Sequence, residues 1–315
     1  MSAPVLEVRG LTKTYGTTCA IDAVGFAVEA GEIFGLLGPN GAGKTTTLEC
    51  IEGLRKADAG MIRVGDSHAS RTRVMGVQLQ TGALPAAMTV TEAMRFFCAY
   101  NGVAPRADLL ERFGLADKLN KRYGNLSVGN QRRLALALAI AHRPALILLD
   151  EPTAGLDVGS RAELHAVMRE LADDGAAILL ATHDMAEAEK MADRVAIVLS
   201  GRIVAEGTPR EITSTGSGVT KVSVSTTDGA FAGGIVTLPA AELNQTDEGY
   251  AVYFSQDPAT TVAALLCEIA EQGDTLLDLR VERPTLEERF LEITGSAPAT
   301  VPAAAPVAAT TGGTR

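Results

Sequence analysis

Short runs of hydrophobic residues recur along the first two-thirds of the chain, and glycine separates several of them. These runs lie at residues 5–8, 21–28, 33–37, 145–149, 176–181 and 195–199. The runs at 145–149 and 176–181 contain no polar residue, a pattern typical of strands that are buried on both faces. The hydrophobic pattern therefore predicts a sheet whose central strands are covered on both sides.

Between these runs, apolar residues recur at helical spacing. The pattern predicts helices over residues 44–54 and 160–173. Thr89 and Glu92 form a capping-box pattern that opens another helix, which Asn101 would close. Strands that alternate with helices predict an α/β domain with a parallel core sheet. The glycine-rich early strands predict an added antiparallel β layer.

The pattern changes after Ile212, where residues 213–218 read TSTGSG, a composition typical of a linker. Further strands are predicted at 222–225, 236–238, 251–254 and 277–281. A helical pattern precedes the last of them, and Thr285 with Glu288 caps a final helix. These patterns predict a small C-terminal α+β domain.

From Ser296 the chain consists mainly of alanine, proline, threonine and glycine, which predicts a disordered tail. The predicted division is a large domain, a small accessory domain and this tail, at residues 1–215, 216–295 and 296–315.

Charge and composition narrow the possible partners. Lys and Arg number 28 against 38 Asp and Glu, a formal net charge of −10, whereas proteins that bind nucleic-acid backbones usually carry a basic surface. Tryptophan is absent and aromatic residues make up 4% of the chain, which argues against base stacking as a main activity. No nucleic-acid partner is expected.

The sequence shows no pattern typical of a membrane-spanning helix, a secretory signal or a paired-cysteine motif. No run reaches the roughly 20 apolar residues that a membrane-spanning helix needs, and residues 1–10 lack the pattern of a secretory signal. Cys19, Cys50, Cys98 and Cys267 form no CxxC pair and are predicted to be reduced thiols of the core. Composition alone predicts a soluble, acidic, cytoplasmic protein.

A glycine-rich segment between a predicted strand and a predicted helix fits the phosphate-binding pattern GxxxxGK[ST]. The candidate phosphate-binding residues are Gly38, Pro39, Asn40, Gly41, Ala42, Gly43, Lys44, Thr45 and Thr46. Lys44 can reach the β- and γ-phosphates of a nucleotide, and the Thr45 hydroxyl can ligate Mg²⁺. The simpler alternative, a glycine-rich turn with a surface lysine, does not explain both flanking elements.

Two acidic residues follow the apolar run at 145–149. Asp150 would hold Mg²⁺, and Glu151 would face the γ-phosphate as general base or as the group that positions water. An acidic turn after a buried strand is common. The pair therefore indicates a nucleotide site only because the phosphate-binding segment is also present.

Further motifs follow in a fixed order, and with them the sequence resembles the ATPases of the ATP-binding-cassette (ABC) family over residues 4–212. Residues 126–133, LSVGNQRR, are similar to the family signature LSGGQ, and residues 154–157, AGLD, are similar to the D-loop. His183 follows an apolar strand, as the family's switch histidine does. The resemblance implies a P-loop NTPase fold of ABC type with a helical subdomain, and ATP and Mg²⁺ as cofactors.

Two further positions fit the family, and each has an alternative. Tyr15 stands where the family has an aromatic residue that stacks on adenine, although it could also pack on the N-terminal sheet. Gln80 stands where the family has its Q-loop glutamine, with Gln78 as a rival. The resemblance favours adenine stacking for Tyr15 and the Q-loop role for Gln80.

The resemblance also implies roles and partners. Glu151, His183 and Gln80 form the implied catalytic set, and the implied metal ligands are Thr45, Gln80 and Asp150. In this family two cassettes face head to tail, which implies a second nucleotide-binding subunit, with a homodimer as the expected form. The residues that act across that interface are Ser127, Val128, Gly129 and Asn130, together with the D-loop residue Asp157.

Val128 and Asn130 depart from the usual signature, because they replace a glycine and a glutamine. A β-branched residue does not readily adopt a positive φ. Either the position does not require one, or the loop is distorted. Since Glu151 is retained, ATP hydrolysis is expected to persist.

Three classes of ABC protein compete as interpretations of this sequence. The short separation of Lys44 and Ser127 excludes the chromosome and repair ATPases, whose cassette is split by a long coiled coil. A soluble ABC ATPase that acts on the ribosome is the alternative to a transporter subunit, but such factors typically have two cassettes and basic character. A transporter subunit requires a separate permease.

The segment at 283–291, RPTLEERFL, resembles the ending of ATPases from drug and antibiotic exporters of the daunorubicin-resistance type. Those ATPases pair with a separate permease of the ABC-2 class. The resemblance therefore implies a peripheral ATPase at the cytoplasmic face of the cell membrane. It also implies a hydrophobic drug, antibiotic or lipid-like cargo.

Overall fold

The structure is a computed structural model, and it describes residues 3–65, 74–78, 84–214, 220–227, 238–239, 241–247 and 250–294. The chain divides into two compact units, Met1–Ile212 and Thr213–Arg315. The tail predicted at 296–315 lies outside the described residues, as does most of the strand predicted at 236–238. Leu238 is described and belongs to no strand.

Up to Ser214, the described residues form nine strands and seven α-helices. In chain order they are β1 (Leu6–Tyr15), β2 (Thr18–Val28), β3 (Ile33–Leu37), α1 (Lys44–Glu52), β4 (Ala59–Val64), β5 (Met75–Gln78), α2 (Val90–Tyr100), α3 (Ala107–Arg112), α4 (Val128–Ile140), β6 (Leu146–Asp150), α5 (Val158–Asp173), β7 (Ala177–Thr182), α6 (Met185–Met191), β8 (Arg194–Leu199), β9 (Arg202–Gly207) and α7 (Pro209–Ser214).

The main sheet has the strand order β5-β6-β7-β3-β8-β9. All of its pairs are parallel except the last, in which β9 runs antiparallel to β8. Every residue of β3, β6 and β7 is buried, which explains their continuous apolar sequences. The predicted parallel core sheet is confirmed. The carboxyl ends of β3, β6 and β7 meet at one edge of this sheet, the usual place for a ligand in such folds.

The predicted antiparallel β layer is also confirmed, with the strand order β2-β1-β4. It shares one hydrophobic core with α1 and the main sheet, in which the rings of Phe26 and Phe34 stack 5.1 Å apart. The run at 5–8 was predicted as a short strand, but β1 continues to Tyr15. Gly10, with φ +58°, lies within a bulge that shifts the register against β2, and pairing with β2 resumes at Leu11.

Helix α2 begins and ends as the sequence predicts. Thr89 Oγ1 accepts from Glu92 N at 3.2 Å, and Thr89 N donates to Glu92 Oε2 at 2.8 Å, so the capping box is complete. One face of α2 is buried and packs on α4. The other face leaves Phe96 and Tyr100 exposed.

The second unit contains a four-stranded antiparallel sheet. Its described elements are β10 (Thr220–Thr226), β11 (Ala241–Asp247), β12 (Tyr250–Ser255), α8 (Pro258–Glu271), β13 (Leu276–Glu282) and α9 (Leu286–Thr294). The strand order is β11-β12-β10-β13. Helix α8 covers one face through Leu265 and Ile269, which join Val222, Val224 and Tyr253 in a separate core. Helix α9 starts, as predicted, at a reciprocal pair of bonds between residues 285 and 288.

Two expectations about surface and core have different outcomes. Among the described residues, no helix has both the length and the apolar character that crossing a bilayer requires. All four cysteines are free, but the predicted core location is wrong for two of them, because only Cys50 and Cys98 are buried. Cys19 lies near the start of β2 and Cys267 on the outer side of α8, and both are exposed.

Candidate functional site

The loop between β3 and α1 is pressed against neighbouring backbone, which restricts two of its positions to glycine. A Cβ atom on Gly38 would lie 2.3 Å from Val198 O, and one on Gly43 would lie 2.4 Å from Ala20 O. Gly43 also caps α1 without any side-chain hydrogen bond to the first turn of the helix. The free amides at this helix start can therefore bind an anion.

Lys44 is buried at the first position of α1. Its Nζ donates to Gly38 O at 2.6 Å and to Pro39 O at 3.1 Å, which folds the ammonium over its own loop. Burial lowers the pKa of Lys44, while the charges of Glu151 and Asp150 act in the opposite direction. Within the described part of the chain, these two carbonyl oxygens are the only hydrogen-bond partners of the ammonium, and such a buried cation is well suited to a phosphate.

Asp150 is the last residue of β6 and is also buried. Its Oδ2 accepts from Thr45 Oγ1 at 3.0 Å, whereas its Oδ1 is buried without a hydrogen-bond partner among the described residues. Burial raises the pKa of Asp150, the Thr45 bond lowers it, and the charge of Glu151 raises it further. A hydroxyl beside a carboxylate with a free oxygen is a donor set that fits Mg²⁺.

Glu151 follows directly and adopts a left-handed backbone conformation, with φ 49°. This places its buried carboxylate against the end of β7. Oε1 accepts from His183 N at 3.1 Å and lies 2.7 Å from His183 Nδ1, while Oε2 accepts a longer bond of 3.4 Å from Thr182 Oγ1. Glu151 also lines a cavity of ≈ 140 Å³ together with Lys44 and Thr45. The predicted phosphate, metal and catalytic residues that are described therefore come together here.

Behind Glu151 lies a buried network that the sequence reasoning did not find. Glu187 on α6 accepts from Thr153 Oγ1 at 2.8 Å and from Thr182 Oγ1 at 3.3 Å, and its Oε1 lies 2.8 Å from His165 Nε2. His165 on α5 thus forms a buried polar pair with Glu187. The one sequence signal was a glutamate on the apolar side of a short helix that directly follows His183.

Ser127 is the N-cap of α4, and Asn130 closes the cap. The Ser127 Oγ accepts from Asn130 N at 3.4 Å and from Asn130 Nδ2 at 2.8 Å. Val128 is the exposed first residue of the helix and is not among the described residues with positive φ. The position therefore does not require a glycine conformation, which decides between the two alternatives. Gly129 is also helical.

The D-loop lies beside this cap. Asp157 is the N-cap of α5 and accepts from Ser160 N at 2.9 Å and from Ser160 Oγ at 2.7 Å. These bonds lower the pKa of Asp157. Asp157 lines an open cavity of ≈ 480 Å³ together with Ser127, Gly129 and Asn130. The signature and the D-loop thus form one surface, separate from the Lys44 cavity.

The structure bears differently on the predictions for Tyr15 and for the two glutamines. Tyr15 is exposed at the end of β1, with Lys13 Nζ 5.5 Å and Arg55 Cζ 5.8 Å from its ring centroid, and it does not line the Lys44 cavity. Gln80 lies outside the described residues. Gln78 is buried on β5, and within the described part of the chain its amide has no hydrogen-bond partner.

Comparison with known proteins agrees with this arrangement. The family model described as ABC transporter matches residues 21–154. The chain is 36% identical to Nod factor export ATP-binding protein I of Ralstonia nicotianae, over 93% of this chain and 95% of the relative. It is 33% identical to daunorubicin resistance ATP-binding protein DrrA3 of Streptomyces coeruleorubidus, over 94% and 97%.

A solved ATP-binding subunit of an ABC transporter has a TM-score of 0.62 and 32% identity, and it covers 66% of this chain while 91% of that structure is matched. The fold, the order of the motifs and the near full-length similarity agree, so the family predicted from the sequence is confirmed. The chain therefore belongs to the family of ATP-binding ATPase subunits of ABC transporters.

Proposed function

We propose that this chain is the ATPase that powers a separate membrane permease of the ABC-2 class, for export of a hydrophobic drug, antibiotic or lipid-like compound. The observation that carries the ATPase part is the contact of the buried Glu151 with His183, at the edge of the cavity that Glu151 lines together with Lys44. Similarity to subunits named for Nod factor export, daunorubicin resistance and linearmycin resistance (31% identical, Bacillus subtilis) extends over more than nine-tenths of the chain and supports export.

The phosphates of ATP would be bound by the amides of residues 41–46 and by Lys44. Binding of the γ-phosphate would replace the two carbonyl contacts of the ammonium. Asp150 and Thr45 would hold Mg²⁺, which supplies neutralisation of charge on the β- and γ-phosphates when bound. Gln80 remains the proposed third ligand on the basis of the family resemblance.

The two oxygens of Glu151 are unequally occupied, and this suggests how the residue acts. Oε1 is engaged by the backbone and ring of His183, whereas the 3.4 Å contact with Thr182 is the only one that Oε2 makes with the described residues. Oε2 is therefore the atom that accepts a proton from the attacking water, and His183 fixes the orientation of the carboxylate. The exposed ring of His183 remains accessible to the γ-phosphate.

Ser127 is prepared to act on the nucleotide of a second copy in a head-to-tail homodimer. A hydroxyl oxygen has two lone pairs and one proton. Asn130 N and Nδ2 both donate to the Ser127 oxygen, which leaves its proton free to be donated to a phosphate. The start of α4 adds positive potential. In this way Asn130, although it departs from the usual signature, keeps Ser127 as a donor.

The permease would dock on α2, the helix whose outer face exposes Phe96 and Tyr100. Family members dock their permeases within this part of the cassette, and an exposed aromatic pair one helical turn apart is suited to a helix of a partner. This contact would place the chain at the cytoplasmic face of the membrane as a peripheral subunit.

The first test is hydrolysis by the purified chain with Mg²⁺ and ATP. Glu151→Gln is expected to lower kcat about 100-fold or more, since the proton acceptor is lost. The same variant is expected to dimerise when ATP is added. Glu271→Gln, an exposed change of the same chemical type, serves as the control. Equal rates for the unmodified chain and Glu151→Gln would contradict the proposed catalytic role.

The second test concerns the membrane partner. The chain is produced together with a permease of the ABC-2 class, and the fraction of the ATPase that sediments with membranes is measured. Phe96→Ser with Tyr100→Ser is expected to release most of the ATPase, whereas Met61→Ser, another exposed apolar position, is expected to leave it bound. Equal membrane fractions for both variants would exclude α2 as the docking site. Sedimentation with ribosomes instead would favour the non-transport alternative.

A further inference from the structure

The second unit ends its sheet with a free strand edge. β13 pairs with β10 on one side and is the last strand in the order β11-β12-β10-β13. Among the described residues, no strand pairs with its other edge. An unpaired edge presents a row of backbone N–H and C=O groups and is a template for pairing with another strand.

The side chains along this edge include two exposed apolar residues. Leu277 is 64% exposed and Val281 is 49% exposed. Leu277 is the extra residue of a bulge, because Asp278 pairs with Ser225 and Leu276 pairs with Thr226. β10 therefore offers Leu277 no partner, and an additional strand could cover it.

We propose that β13 pairs antiparallel with β13 of a second copy of this chain, about a twofold axis that passes beside Leu279. In this register Leu277 lies opposite Val281 of the second copy, and Asp278 lies opposite Arg280 of the second copy. The twofold symmetry repeats both contacts. The two apolar residues cover each other, and the four charges alternate in sign along one face.

Charges on an edge strand usually prevent association, and here their order decides the register. Asp278 and Arg280 already share a bond of 2.8 Å within the strand, and both contact Tyr250 Oη. A shift of two residues in one direction would place Arg280 opposite Arg280 of the second copy. A shift of two residues in the other direction would place Asp278 opposite Asp278 of the second copy. Like charges directly opposite each other destabilise a sheet.

A larger shift is also unfavourable. Moving the register four residues towards the carboxyl end would pair Arg280 with Glu282, but it would leave Leu277 uncovered and extend into Pro284, which has no N–H to donate. Glu282 already has Lys221 at 3.3 Å on the neighbouring strand. Only the register centred on Leu279 uses the full strand with opposite charges facing each other.

This contact is distinct from the proposed nucleotide-dependent interface, which uses residues of the first unit. The experiment therefore uses the full chain without nucleotide. Its self-association is measured by analytical ultracentrifugation over a range of concentrations. A dimer is expected, and Arg280→Glu is expected to raise its dissociation constant about tenfold or more, because two attractive pairs become repulsive.

The matched control is the charge exchange Asp278→Arg with Arg280→Glu, which restores opposite charges both within the strand and across the axis. It is expected to return the dissociation constant close to that of the unmodified chain. Circular dichroism checks that each variant is folded. A monomer at every concentration, or equal association of all three proteins, would overturn the proposal, whatever the result of the ATPase test.

Cross-linking tests the register directly. In a background of Cys19→Ser and Cys267→Ser, which removes the exposed thiols, Leu279→Cys is expected to form a disulfide-linked dimer under mild oxidation. Val281→Cys alone is expected to give none, but to cross-link when mixed with Leu277→Cys. Self-cross-linking of Val281→Cys without that of Leu279→Cys would overturn the register.

Discussion

The site residues around Lys44 and those around Ser127 are fixed in position by different kinds of contact. Lys44, Asp150 and Glu151 are buried. Lys44 starts the helix that follows β3, the two acids lie at the end of β6, and every residue of both strands is buried. Ser127 and Asp157 are exposed, and local bonds from Asn130 and Ser160 hold them. The first set, here called the P-loop half, is assembled within one chain. The second, here called the signature half, is shaped by its own helix caps and completes a nucleotide site only with a second copy.

This difference indicates which property a mutation in each half should affect. A change in the P-loop half disturbs a packed interior and should affect folding and chemistry together. A change in the signature half should affect turnover in the dimer while nucleotide binding by a single chain persists. The following predictions separate the two kinds of effect, beginning with the largest.

Removal of the Glu187 carboxylate should have the largest effect on folding. Glu187→Ala leaves the hydroxyl of Thr153 and the ring of His165 without their buried acceptor, and it leaves the hydroxyl of Thr182 only Glu151, at 3.4 Å, as an acceptor among the described residues. We expect a loss of about 3 kcal/mol in the free energy of unfolding, measured by urea denaturation. Lys190→Ala, at an exposed position of the same helix, should cost less than about 0.5 kcal/mol. Equal losses would show that the network does not hold the P-loop half together.

Ser127→Ala should separate binding from turnover. The variant loses the hydroxyl donor proposed to act across the dimer, so kcat should fall about 100-fold, as for the loss of one transition-state donor. The dissociation constant of ATP for the single chain, measured by fluorescence with a labelled nucleotide, should not change. A parallel loss of ATP affinity would mean that Ser127 acts within its own chain. Ser127→Gly, which keeps most of the helix-cap stability, controls for unfolding of α4.

Glu52, at the end of α1, should make the stability of the folded chain depend on pH. Burial raises the pKa of Glu52 from 4.5 to about 7, and the charges of Glu49 and Asp150 add to the shift. Both of its oxygens are buried without a partner among the described residues. Between pH 4.5 and about 7, the Glu52 carboxyl keeps its proton in the folded state and has released it in the unfolded state. The contribution to stability is therefore complete below about pH 4.5 and is lost as the pH rises through 7.

The non-ionising variant Glu52→Gln should consequently be more stable than the unmodified chain by about 2 kcal/mol at pH 8, and no more stable at pH 4. Urea denaturation at the two pH values measures the difference. Glu271→Gln, the same change at an exposed position, is measured beside it as the control. A stability gain that is the same at both pH values would argue against a buried proton at Glu52.

Asn130→Asp should have the smallest effect of the series. A carboxylate would accept the Ser127 proton instead of donating to its oxygen, and it would add a negative charge near the phosphate. We expect kcat to fall about tenfold, whereas Asn130→Gln, which keeps an amide, should stay within a few-fold of the unmodified chain. In a Ser127→Ala background the effect of Asn130→Asp should shrink if it acts through the Ser127 hydroxyl.

The sequence predicted those elements whose signals are local. The start and end of α2 follow from a capping box and an Asn-Gly pair, and β3 is bounded as the apolar run indicates. The predictions missed β4 and β9, because most of their positions are exposed or half-buried and they lie at sheet edges, where the hydrophobic pattern is weak.

The candidate site shows the same limit. Lys44, Asp150 and His183 could be placed near each other, since residues at the carboxyl ends of parallel strands meet at one edge. The buried network around Glu187 could not be predicted, because it joins Thr153, His165 and Thr182 from three separate elements. Such contacts depend on how α5 and α6 pack, and no periodicity in the sequence reports that packing.

The left-handed conformation of Glu151 has a consequence for evolution and engineering. With φ 49°, the position would be occupied at least strain by glycine, and an ordinary side chain there costs on the order of 1 kcal/mol. Selection for thermal robustness alone would therefore favour loss of the carboxylate proposed to be catalytic. A library of this chain screened only for heat resistance should accumulate inactive proteins at this residue, so that durability and turnover are opposing demands on one backbone angle.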